Sequence, residues 1–328
     1  MVSMLRRRIA TALVAAGIGV GMGAAAAQPY PDKPIRLVVP YPPGGVADFL
    51  GRLLAQKLTE SRGWQVVVEN KAGAATLIGT AFVANADADG YTLLVTSNSF
   101  TVNPSLRRKI PYDTEHDFTP VILAAAAPHV LAVNARLPVD SVKDLIALAK
   151  SRPGELTAGS SGVGTAVHLS IELFKARAGV NILHVPYNGG PPATNGAIAG
   201  DVDMTFQTAN NLFAGLEARS LKALAVTGDR RLASLPDVPT FAEAGVPDFV
   251  ASSWIGVLVR RGTPQPVVHT LNQALAEILD NPDIQDVLVR QGFESTARDT
   301  TPQAFGTLLK TELARNAQLV EAAGIRNE

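Results

Sequence analysis

The feature that most narrows the possible folds is a construction that occurs twice. Leu37, Val38 and Val39 make a short apolar run. Pro40, Tyr41, Pro42, Pro43, Gly44 and Gly45 follow as a loop stiffened by prolines and opened by glycines, and then Leu50, Leu53, Leu54 and Leu58 recur at helical spacing. This reads as buried strand, loop and helix. The pattern returns at 156–174: a short strand, a loop of Ser160, Ser161, Gly162, Val163, Gly164 and Thr165, and a helix predicted to put Leu169, Leu173 and Phe174 on one face. A strand follows each helix, at 65–69 and 182–186. A helix start leaves backbone N–H groups without intrahelical partners, and glycine lets a ligand approach them, so each loop is a ready anion pocket. Either alone is an ordinary βα turn. Two of them, on two α/β lobes, imply one ligand held between facing loops.

At 328 residues the chain has room for two domains with a core each. Lys plus Arg and Asp plus Glu balance at 29 each, so nothing points to nucleic acid or an anionic membrane surface. Residues 1–27 read as a signal peptide, with Arg6, Arg7 and Arg8 as a basic n-region, an apolar stretch diluted by glycines, and Ala25, Ala26 and Ala27 before the cleavage point. An exported, periplasmic protein is therefore expected, mildly acidic once those arginines are gone. The sequence has no cysteine, which excludes thiol nucleophiles, cysteine-ligated metals and disulfides; a protein of this size relies on its cores instead.

From Pro34 onward strands and helices alternate. A helix is expected at 74–86 and a strand at 91–96, leaving Ser97, Asn98 and Ser99 at a strand's carboxyl end, the edge where open α/β sheets collect ligands. Residues 103–118, with Pro104, Pro111 and many charges, read as surface loop. The apolar passage 121–133 is expected to carry the chain into a second lobe, where helices at 140–150 and 192–199 and strands at 202–206 and 221–226 follow. A strand at 254–259 returns to the first lobe, ahead of helices at 264–278, 283–291 and 302–323. The expected fold class is thus α/β, with two doubly wound domains joined by a two-crossing hinge. Lobe 1 would be discontinuous, 28–128 and 251–328, and lobe 2 would be 129–250.

Several blocks also resemble one family closely. They are Pro34-Ile35-Arg36-Leu37-Val38-Val39-Pro40-Tyr41-Pro42-Pro43-Gly44-Gly45 with Asp48, Val68-Glu69-Asn70-Lys71-Ala72-Gly73, Asp89-Gly90-Tyr91-Thr92-Leu93, Pro111-Tyr112-Asp113, His184-Val185-Pro186-Tyr187, and Leu235-Pro236-Asp237-Val238-Pro239-Thr240 with Glu243-Ala244-Gly245. In this order, over nearly the whole mature chain, they resemble the Bug family, the TctC-like substrate-binding proteins of tripartite tricarboxylate transporters. The resemblance implies a two-lobed periplasmic binding protein type II fold, a receptor that closes on a small carboxylate, or an uncharged relative, and delivers it to membrane permease subunits. It also implies that the loops 42–48 and 160–165 supply the contacts, mostly through backbone N–H and hydroxyl groups. One departure stands out. Where many members carry an acid after Val202-Asp203-Met204-Thr205-Phe206, this chain has Gln207, which weakens the case for an ammonium-bearing ligand.

The candidate ligand-binding residues are Tyr41, Pro42, Pro43, Gly44, Gly45, Asp48, Ser97, Ser160, Ser161, Gly162, Gly164, Thr165, His168, Tyr187 and Gln207. Some have structural readings as well: Asp48 as a first-turn carboxylate complementing the helix dipole, Ser161 and Thr165 as helix caps, His168 as a packed residue, Tyr187 as part of a plain turn. Neither loop offers a basic side chain, so an anion would be met by N–H and O–H donors. No catalytic residue, metal site or cofactor is expected. Gly159-Ser160-Ser161-Gly162-Val163 is not a Gly-x-Ser-x-Gly elbow, the five histidines lack metal-ligand spacing, and no phosphate loop is present. The reading is an extracytoplasmic solute receptor, a monomer, with a periplasmic sensor of the same fold and a periplasmic hydrolase as alternatives.

Overall fold

The structure is a computed structural model that describes residues 30–107, 109–294 and 300–322. The predicted leader lies outside the described residues. The chain divides into a short unit, Met1–Asp32, and the unit Lys33–Glu328, which holds every element below.

The elements alternate as the sequence suggests: β1 (Ile35–Val39), α1 (Val46–Arg62), β2 (Val66–Asn70), α2 (Leu77–Ala84), β3 (Thr92–Thr96), α3 (Ser99–Leu106), β4 (Phe118–Asn134), α4 (Val142–Ser151), β5 (Thr157–Ser160), α5 (Ala166–Ala178), β6 (Leu183–Pro186), α6 (Gly190–Ala199), β7 (Met204–Thr208), α7 (Ala209–Glu217), β8 (Leu221–Val226), β9 (Ser252–Arg260), α8 (Gln265–Asp280), α9 (Pro282–Arg290) and α10 (Pro302–Ala322). The nine strands run in the order β2-β1-β3-β9-β4-β7-β5-β6, with β8 also paired to β4. β4 joins the two halves of this sheet. Its first part, through Pro128, pairs with β9, and its last part, from His129, pairs with β7 and β8. The long apolar run at 121–133 is the physical basis of this strand, because both of its ends are buried in a core.

Each half has its own core. One centres on Val38, Leu94, Phe100, Trp254, Leu258 and Phe305, and the other on Leu145, Ile171, Met204 and an aromatic cluster of Phe174, Phe206, Phe241 and Phe249. The chain leaves the first half along β4 and returns through 227–251. These two crossings are pinned to each other: the His129 N–H donates to Thr227 Oγ1 at 2.8 Å, and the Thr227 N–H donates to the His129 carbonyl at 2.8 Å.

Several local expectations need correction. The stretch 103–118 is not a surface loop. Residues 99–106 form α3, and Asn103, Leu106, Tyr112 and Phe118 are buried; the Tyr112 ring stacks on Phe100 and the Phe118 ring meets it edge-on. The helix expected from Ala74 starts later: Ala74, Ala75 and Thr76 form a tight turn with positive φ of 46°, 52° and 78° before α2 begins. Asn103 holds that turn, its Nδ2 donating to the Ala75 carbonyl at 2.9 Å. On α5 the most buried side chains are Val167, His168, Ser170, Ile171 and Phe174; Leu169 sits instead in a small cluster with Val102, Leu106 and Val320. β7 lies two residues beyond the expected 202–206, and α7 had no counterpart in the sequence reading.

Candidate functional site

The carboxyl ends of β1, β3, β5, β6 and β7 all open onto one cavity of about 620 Å³. This is the edge where α/β sheets place ligands. Pro40, Tyr41, Pro42 and Gly45 line it after β1, Ser97 and Ser99 after β3, Ser161, Gly162, Val163 and Thr165 after β5, Tyr187, Asn188, Gly189 and Gly190 after β6, and Gln207, Thr208 and Asn211 at the end of β7. The Ala74–Thr76 turn adds the start of α2, and Ser253 of β9 closes the floor. The first turns of α1, α2, α3, α5, α6 and α7 therefore share one cavity. Their unpaired N–H groups and dipoles sum to a positive field there. The two halves of the sheet touch beside it: a methyl on Gly189 would stand 3.4 Å from Pro42, and one on Gly44 3.6 Å from Pro191.

Of the residues expected from the sequence, Tyr41, Pro42, Gly45, Ser97, Ser161, Gly162, Thr165, Tyr187 and Gln207 line the cavity. Pro43, Gly44, Asp48, Ser160, Gly164 and His168 stand outside its lining. Several of these six hold the loops in shape. Asp48, only 3% exposed, accepts from the Gly44 N–H at 2.9 Å, from Arg52 Nε at 3.0 Å and from Asn70 Nδ2 at 2.8 Å. Burial alone would raise its pKa. The hydrogen bonds from Arg52, Gly44 and Asn70 and the Arg52 charge outweigh it, holding the carboxyl below the ordinary range. Gly44 needs to be glycine because its φ is +85°.

The second loop is held by neutral groups. Thr165 caps α5, accepting from the His168 N–H at 3.3 Å and donating to the Gly162 carbonyl at 2.8 Å. The Gly164 N–H donates to His168 Nδ1 at 3.2 Å, and Ser160 Oγ pairs with His184 Nε2 at 2.6 Å. The two imidazoles stack with ring centroids 4.0 Å apart. Burial pushes both down to about 4, the Lys175 charge adding to it for each ring and the neighbouring imidazole adding to it for His184. Both rings stay neutral at neutral pH.

The wall is rich in donors. The Gln207 side-chain amide faces Ser161 Oγ at 3.2 and 3.3 Å, and Asn211 Nδ2 reaches Thr208 Oγ1 at 3.2 Å. Tyr41 places its hydroxyl among Thr96, Ser97 and Ser99 without a well-formed hydrogen bond, and burial pushes it up to about 12, so it remains protonated. Among the lining residues there is no aspartate, glutamate, lysine or histidine, and one arginine, Arg107, at the end of α3. No group of His, Asp and Glu able to hold a metal occurs among the described residues.

The family model of the tripartite tricarboxylate transporter family receptor, TctC, matches residues 50–325. The chain belongs to the TctC family. Protein BugT of Bordetella pertussis is 37% identical to this TctC chain over 320 residues, covering 97% of this chain and 95% of BugT. Among solved structures, R. palustris Rpa4515 with adipate is similar with a TM-score of 0.86 and 38% identity, over 90% of this chain and 98% of that one. MatC from Rhodopseudomonas palustris with bound malate has a TM-score of 0.82 and 29% identity, over 89% and 99% of the two chains. This TctC chain therefore has the α/β fold of periplasmic binding proteins and is a periplasmic solute-binding receptor, its relatives being receptors and not enzymes.

The sequence reading missed Arg107, Thr208, Asn211, Ser253 and the Ala74–Thr76 turn. A signal existed for one other segment, because Gly189-Gly190-Pro191-Pro192 repeats the composition of Pro42-Pro43-Gly44-Gly45 in reverse order and also opens a helix. Arg107 had none, since Pro104 disguises the helix that carries it.

Proposed function

We propose that this receptor captures a small organic carboxylate in the cavity and hands it to the permease subunits of a tripartite transporter. The observation that carries this reading is the cavity's composition: many helix starts and hydroxyl or amide donors, one arginine, and no acid. Such a wall stabilises a carboxylate and repels nothing in it. Charge-assisted hydrogen bonds contribute about 1.5–3 kcal/mol each and a helix terminus up to ~2 kcal/mol. A few of them reach the ~8 kcal/mol of a micromolar site after ordering costs. The adipate and malate held by two relatives support the same class of ligand. The two halves of the sheet act as lobes, 28–128 with 251–328 against 129–250, which close about the pinned crossings at His129 and Thr227 and present the loaded form to the permease.

The test is thermal unfolding of refolded, ligand-stripped protein against mono-, di- and tricarboxylates, their amides and amino acids. A ligand at about a hundred times its Kd adds roughly 2.7 kcal/mol and raises Tm by several degrees. Gly45→Leu supplies the control. Gly45 has an ordinary φ of −79°, and a Cβ there meets no atom closer than 3.9 Å, so leucine is tolerated by the backbone and takes up space at the cavity wall. Carboxylate shifts that vanish in this variant support the reading. Shifts with amides or amino acids and none with any acid overturn it.

A further inference from the structure

Arg107 follows the last residue of α3, and its backbone N–H caps that helix by donating to the Asn103 carbonyl at 3.1 Å. A cation near a helix C-terminus is favourable in itself. That role needs only proximity to the last carbonyls, and an exposed side chain meets it. Arg107 does something else: it lines the ligand cavity, and its Nε is buried with no hydrogen-bond partner. The ion pairs found among the described residues include none to Arg107, and the cavity wall contains no acid to neutralise it. A partly buried charge with no counter-ion is costly unless something from outside the protein supplies one.

The helix that carries Arg107 is placed against the opposite loop. Val102 and Leu106 of α3 pack with Val163 and Leu169, and a methyl on Gly164 would collide with Leu106. Arg107 thus comes from the first half of the sheet and reaches the cavity where α3 meets the loop that opens α5. Its charge belongs to neither helix start.

We propose that Arg107 is the specificity-determining residue of this receptor, receiving the second acidic group of a dicarboxylate whose first carboxylate rests on the helix starts. The inference rests on the carboxylate reading above and narrows it. Guanidinium is suited to the role because its planar donors match a carboxylate in a bidentate pair. A monocarboxylate of equal length places an apolar tail against the Arg107 charge, whereas a dicarboxylate supplies it with a carboxylate partner. Omitting a group that a site is built to hydrogen-bond is the omission that binding sites reject most strongly.

The test is calorimetric titration of the wild-type protein and of Arg107→Gln with linear dicarboxylates of four to seven carbons, each paired with its monomethyl ester and the monoacid of equal length. The expected result is that the best diacid binds wild type about 10- to 100-fold more tightly than its half-ester, a ratio that falls to about one in Arg107→Gln through weaker diacid binding. Half-ester affinity should not fall along with diacid affinity in Arg107→Gln, a split that general destabilisation does not produce. Arg107→Lys, which keeps the charge and loses the fork, should retain part of the preference. Diacid and half-ester binding equally well to wild type overturns the Arg107 assignment and leaves the receptor reading standing, as does a preference that survives in Arg107→Gln. If no carboxylate binds wild type, the receptor reading falls and the Arg107 assignment falls with it.

Discussion

The loop after β1 and the loop after β5 do the same job with different chemistry. Both end a parallel strand, both open a helix at the cavity, and both use glycine at positive φ. The first is clamped by a buried charge: Asp48 gathers the Gly44 amide, Arg52 and Asn70 onto one carboxylate, so the N-cap residue Gly45 has no capping side chain. The second is clamped by neutral groups, with the Thr165 hydroxyl, the His168 imidazole and the Ser160–His184 pair sharing the work. A strand–loop–helix unit specifies where donors point; what keeps them there is free to differ. The two clamps therefore fail under different conditions.

Acid separates them, and this is the largest effect expected. Burial pushes His168, His184 and the fully enclosed His129 down to about 4, against 6.5 for free imidazole. Between those values the unfolded chain takes up protons that the folded chain refuses, so stability falls as pH drops from about 6.5 and levels off below about 4. The wholly enclosed His129 contributes at most about 3 kcal/mol, and His168 and the half-buried His184 each contribute less, giving a loss of roughly 5 kcal/mol. The Asp48 carboxyl is held below 3.8, so its contribution is present throughout that window and is lost only at still lower pH. Calorimetric Tm should fall by on the order of 10 °C between pH 6.5 and 4, with the slope reduced in His184→Gln. A flat Tm across that range would refute the neutral clamp.

Breaking the charged clamp directly is the next largest effect. Asp48→Ala removes the acceptor of the Gly44 N–H and one of the two acceptors of Asn70 Nδ2, which keeps the Tyr41 carbonyl, in a part-buried site, while Arg52, whose side chain is 53% exposed, recovers water. The cost is about 2–4 kcal/mol, below the full penalty of a buried pair because one partner is solvated. Tm measured at pH 7 should drop by roughly 5–10 °C, and Asp48→Asn, which keeps an acceptor for Gly44, by about half as much. At pH 5 the Asp48→Ala protein should carry both losses additively, because the two clamps share no partner. A drop much smaller than additive would mean that the loops are coupled through the cavity.

The two loops also differ in how far they could be read from sequence. Strand, glycine loop and amphipathic helix are local patterns, and Leu50, Leu54 and Leu58 on α1 are buried as their spacing predicts. The 17-residue strand β4 was legible because both of its ends are apolar. On α5 the same reasoning misplaced Leu169, since the surface it covers is supplied by α3 and α10, which are distant in sequence. α3 itself was hidden by Pro104. The position of Arg107 in the cavity depends on that helix, so no local signal could reveal it. The left-handed turn at Ala74–Thr76 has no glycine or asparagine to announce it and is held by Asn103 from another element. Patterns repeated along the chain were visible, whereas contacts between elements far apart were not.

The smallest effect tests whether the second loop's hydroxyl serves the fold or the ligand. The Ser161 hydroxyl hydrogen-bonds with the Gln207 amide at 3.2 and 3.3 Å, near the long end of the useful range. Its removal should cost the empty protein little, within about 1 kcal/mol and about 2 °C in Tm, because water or the ligand replaces a weak partner. Ser161→Ala should nevertheless weaken carboxylate binding by about three- to tenfold, since the hydroxyl lines the cavity beside the start of α5. Thr165→Ala provides the contrast within the same loop. Thr165 caps α5 and ties Gly162, so its loss should cost about 1 kcal/mol or more of stability before any ligand is added. If Ser161→Ala lowers Tm as much as Thr165→Ala and leaves affinity untouched, Ser161 belongs to the clamp, and the donors facing the ligand from this loop are backbone N–H groups.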